Sequence, residues 1–177
     1  MRRSGLAAIA WAMASTSVSA AALPPPIAPA AEGRLQCYAP NRAARSCQSL
    51  ASYAPAPGGG IDNPSTVLIS PSPVVTMRTT TPVTVKAGQV CGFIRPEDIQ
   101  SATFEIAGAP ATPAQATMLR QKMTAAQQGV FGHEICTAYV PDGDAMIAKA
   151  SIDGVAQPAM DQTVIWVSPA DGFKVAP

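Results

Sequence analysis

The sequence holds one histidine, His133, so any imidazole chemistry must be its own. It opens the run His133-Glu134-Ile135-Cys136-Thr137, which begins like the zinc-protease helix signature, in which two histidines one helical turn apart share a metal. Thr137 stands where the second histidine is needed, and Gly129 and Gly132 oppose a helix here, so the run predicts no metal site. What remains is a general base, an imidazole titrating near neutrality and oriented by a carboxylate, and this makes His133 and Glu134 the candidate catalytic residues. The bland alternative is a surface histidine ahead of a strand.

Other candidates are weaker still. Asp142-Gly143-Asp144 suggests calcium, but Met146 and Ala148 occupy the next alternating ligand positions and Asp153 replaces the closing glutamate, so a tight turn accounts for it better. Gly58-Gly59-Gly60 lacks the Lys-Ser or Lys-Thr of a phosphate loop and reads as a flexible loop among prolines. No G-x-S-x-G elbow occurs. Met118, Met123, Met146 and Met160 form no cluster and fit core packing, although soft ligands of this kind also serve envelope copper carriers. No cofactor is expected. Tyr38, Tyr53, Tyr139, Phe104 and Trp166 belong in or beside the core, unless two or three share an exposed sheet face and make a binding platform.

Cys37, Cys47, Cys91 and Cys136 allow three pairings. The polar stretch between the first two can turn back, which favours Cys37–Cys47 and leaves Cys91–Cys136. Without a C-x-x-C pair, zinc is a poor account of the four. Bridged cysteines also offer no thiolate for catalysis.

The expected address agrees with disulfides. Met1-Arg2-Arg3, an apolar run from Leu6 to Ala14 and the small residues before Leu23 read as a secretory signal over 1–22, cleaved after Ala20 or Ala22. The apolar run is too short for a membrane span of about 20 residues, so no span is expected after cleavage. The chain of 177 residues carries 12 basic and 11 acidic side chains. That balance gives no electrostatic footprint for nucleic acid. The Pro/Ala-rich residues 23–33 predict an extended, solvated linker, and 34–177 a single globular domain.

Proline spacing limits the elements that could position these groups. Short strands are expected at 34–38, 48–53, 66–70, 74–78, 83–86, 89–93 and 103–106. Thr112-Pro113-Ala114-Gln115 is a capping box that opens a helix over about 113–128, with Ala116, Leu119, Met123, Ala126 and Val130 along one side. Strands at 134–140, 145–152 and 163–167 follow as a meander. The expectation is an α+β domain: a mainly antiparallel sheet, one principal helix, then a β-meander, tied by disulfides.

Three functions fit these residues. The first is a non-enzymatic periplasmic or secreted domain binding an envelope protein or small ligand. The second is a small hydrolase-like enzyme using His133 with a neighbouring carboxylate, and the third an envelope metal-handling protein using methionine and reduced cysteine.

Overall fold

The computed structural model describes residues 22–177. The expected signal therefore lies outside the described residues, apart from Ala22. Eight strands alternate in direction: β1 (Leu35–Tyr38), β2 (Ser49–Ala51), β3 (Ile61–Pro71), β4 (Val74–Lys86), β5 (Gln89–Phe93), β6 (Glu134–Asp142), β7 (Ala145–Ile152) and β8 (Gln162–Val167). Each pairs antiparallel with its neighbour in sequence. The eighth returns to the first, with Leu35 opposite Val167 and Tyr38 opposite Val164. The result is a closed up-and-down barrel, and the α+β expectation is corrected.

One physical reason lies in β4. Pro82 suggested two strands, whereas a single strand runs through it. Residues 79–82 are flanked on one edge only, between the stretch that pairs with Thr103–Ile106 and the stretch that pairs with β5. A proline there gives up no ladder bond on the open side.

The insertion between β5 and β6 carries α1 (Pro96–Gln100), the strand Thr103–Ile106 and α2 (Pro113–Gln127). The capping box forms as expected: Gln115 N–H donates to Thr112 Oγ1 and Thr112 N–H to Gln115 Oε1. Ala116, Leu119 and Met123 of α2 pack on Met77, Ala102 and Phe104. This covers the part of the β3–β4 hairpin that runs beyond β5.

Two side chains define the other end. Residues 23–33 are not a solvated linker, because Leu23 is 7% exposed and Ile27 0%. Both pack with Ala30 against Tyr53, Val83 and Val90, at the end where β4 turns into β5. A short 3-10 turn, Ala28–Glu32, closes on Gly33 in the left-handed region at φ 75°, which suits glycine. The backbone bonds of the segment run within it or to Arg34 next door: Ile27 N–H to Pro24 O, Ala30 N–H to Ile27 O, Gly33 N–H to Ala30 O and Arg34 N–H to Pro29 O. Apolar burial holds it in place.

Both expected disulfides are present. Cys37–Cys47 packs with Ile165 and Val167 on the outside of the barrel, where Lys174–Val175 pairs parallel with Ser46–Cys47. Cys91 and Cys136 are direct register partners on β5 and β6. Two bridges suit an oxidising compartment.

Candidate functional site

Strand alternation sends Gln36 and Tyr38 of β1 inward and Cys37 outward to its bridge. Tyr53, just past β2, and Tyr139 of β6 converge on the same point. Gln36 is fully buried, and its Oε1 is 3.0 Å from Tyr38 Oη, 2.9 Å from Tyr53 Oη and 3.0 Å from Tyr139 Oη. Tyr38 and Tyr139 hydroxyls lie 2.6 Å apart, and Tyr53 and Tyr139 hydroxyls 3.1 Å apart. A carbonyl oxygen has two lone pairs, so one hydroxyl of the three donates to another tyrosine instead. Among the described residues Gln36 Nε2 has no partner. Exchanging the amide's N and O would leave the group one partner short in the same way. Tyr53 joins this polar group to the apolar cluster that contains Leu23 and Ile27.

Burial is the main cause that raises the hydroxyl pKa of Tyr38 and Tyr53 well above the usual tyrosine value, with Tyr139 adding to both. The linkage sign follows: the neutral hydroxyl is favoured in the folded state, so its contribution is complete below the unfolded pKa near 10 and is lost as pH rises beyond it. Stability should fall above about pH 10 by about 1.4 kcal/mol per pH unit for each such hydroxyl. Absorbance at 295 nm, run beside circular dichroism, should show these tyrosines ionising only with unfolding. Their ionisation in a folded barrel would contradict the geometry.

The catalytic candidates lie elsewhere, on the surface where β6 starts and β7 ends. His133 Nδ1 is 2.6 Å from Asp153 Oδ2, not paired with Glu134. Glu134 N–H donates to Asp153 Oδ1 at 2.9 Å. The His133 contact first, and this backbone bond second, hold the Asp153 carboxyl below its ordinary pKa. The Glu134 side chain pairs with Lys86, and its carboxylate lies within 4.8 Å of both sulfurs of Cys91–Cys136. His133 and Asp153 are each about half exposed. Among the described residues no hydroxyl or thiol hydrogen-bonds His133 Nε2. The arrangement is a histidine oriented by a carboxylate.

The remaining readings are also placed. Asp144, in the turn where Gly143 takes φ 60°, pairs with Arg42 of the loop after β1 at 2.8 Å. All four cysteines are bridged, which takes the thiolates from the metal-handling reading. Tyr38, Tyr53, Tyr139 and Trp166 surround the barrel core and Phe104 lies under α2, so these five form no exposed platform. Sequence reasoning missed Gln36. Its only signal was a polar residue in step with Tyr38 on a short strand.

Comparison with known proteins yields no matching family model, no similar curated protein and no similar solved structure.

Proposed function

We propose that this chain is a non-enzymatic binding domain, exported to the periplasm or beyond, whose barrel takes a small amphipathic ligand in place of its own N-terminal segment. The unpartnered Gln36 amide among three tyrosine hydroxyls carries this reading. Eight strands enclose a space that either fills with side chains or holds one small ligand. Here the apolar occupant next to the polar cluster is Leu23 and Ile27, which bring no acceptor to it. A ligand with an apolar body and one carbonyl acceptor would satisfy both the wall and the amide.

Two aliphatic side chains anchor the segment, and their burial contributes about 3–6 kcal/mol. Such a segment belongs among the units that open without global unfolding.

The test uses Ile27→Asp in the mature chain and the fluorescent ketone prodan. The variant should keep native near-UV circular dichroism and bind one prodan per chain at least about tenfold tighter than the wild type, with blue-shifted emission. A carbonyl-free naphthalene of equal size should compete poorly. Equal competition would remove the role of Gln36, and a folded variant that binds no better than the wild type would end the proposal. Failure of Ile27→Asp to fold would also count against it, because a removable segment must leave the barrel intact.

A further inference from the structure

We propose a second, independent binding site on the outside of the barrel: Arg78 and the threonines beside it bind the carboxylate of an acidic sugar. Along β4, the outward positions Thr76, Arg78, Thr80 and Thr84 alternate with the inward Val75, Met77, Val83 and Val85. Arg78 sits in a cross-strand row with Leu50 opposite Thr66, Thr66 opposite Arg78, and Arg78 opposite Thr103. A cleft lies on either side. The first, about 170 Å³, is lined by Leu35, Leu50, Pro64 and Thr66, and the second, about 210 Å³, by Thr66, Thr76, Thr103 and Glu105. Arg78 lines both.

The guanidinium is exposed and uncommitted. Arg34 donates to Trp166 O and Arg120 to Ala102 O, while Arg42 and Arg95 pair with Asp144 and Asp98. Among the described residues Arg78 makes no side-chain hydrogen bond and no ion pair within 4.0 Å, although Glu105 lies on the adjacent strand. Its planar fork matches a carboxylate through two parallel bonds. Threonine hydroxyls on both sides can donate to and accept from ring hydroxyls, and the Leu35–Leu50 ledge offers an apolar surface to a sugar face. Glu105 sets the charge preference: it disfavours a dianionic phosphate more than a singly charged carboxylate.

The experiment titrates the isotope-labelled mature protein with glucuronate, glucose 6-phosphate and glucose, followed by proton–nitrogen spectra. Glucuronate should shift the Arg78 Nε–Hε signal and the Thr66 and Thr103 amides saturably, with Kd on the order of 1 mM. Binding should weaken as ionic strength rises from about 0.01 M to about 0.15 M, because the site is exposed. Arg78→Gln, a surface change that leaves the barrel untouched, should weaken glucuronate at least about tenfold. Glucose 6-phosphate should bind more weakly, and glucose should not bind. No saturable shift with glucuronate would overturn the site, as would unchanged binding in Arg78→Gln. Tighter binding of the phosphate, or equal binding of glucose, would overturn the assignment to a carboxylate.

Discussion

Replacing Cys91 and Cys136 together by alanine is expected to lower the free energy of unfolding by about 4 kcal/mol. The bridge spans 45 residues against 10 for Cys37–Cys47, so its removal releases far more of the unfolded chain. Register pairing of β5 with β6 already places the two positions side by side, which keeps the folded barrel intact without the bond. The whole helical insertion lies inside that covalent loop. Urea denaturation should therefore show a lower midpoint together with a steeper slope, as a less restricted unfolded state exposes more surface. A loss below about 2 kcal/mol would mean that the unbridged chain retains compact structure around the insertion.

Gln36→Leu should cost about 1–3 kcal/mol, even though it exchanges a buried polar side chain for an apolar one of similar size. The glutamine oxygen is the shared acceptor of the tyrosine cluster. Without it the three hydroxyls can only donate along their own chain, Tyr38, Tyr139 and Tyr53, which leaves one donor in the core without an acceptor at about 1–3 kcal/mol. Adding Tyr139→Phe to Gln36→Leu should deepen the loss, because Tyr139 is the hydroxyl that both other tyrosines reach and is the partner left to them once the glutamine oxygen is gone. If Gln36→Leu alone proved as stable as the parent, the unpartnered Nε2 would outweigh the three hydroxyl contacts, and the cluster would not organise this core.

Much of the local structure is legible in the residues. Thr112 and Gln115 announce α2, Val83 and Val85 show the inward face of β4, and the cysteine spacing leads to the correct pairing. The closure of the barrel is not legible, because it rests on β1 meeting β8, and a four-residue strand carries no mark of a partner more than a hundred residues away. The N-terminal segment misled for a different reason. Its prolines do forbid an α-helix, but Leu23 and Ile27 stand among them four positions apart and anchor the segment through burial alone. At the candidate site, the sequence offered Glu134 as the nearest carboxylate to His133, whereas the side chain that meets the imidazole is that of Asp153. Asp153 lies in a turn nineteen residues after Glu134, and only the pairing of β6 with β7 brings it close. Gln36 and Arg78 went unnoticed because their meaning depends on which neighbours lack a partner.

The pairing of first strand with last also bears on synthesis. At about 5–20 residues per second, roughly 6–25 s separate the appearance of Tyr38 from that of Gln162. During that interval β1 can pair with β2 on one side, while the side that will meet β8 displays unpaired backbone donors and acceptors, an invitation to strands of other chains. Slow translation should thus show up first as aggregation of incomplete molecules, even when the finished barrel is stable.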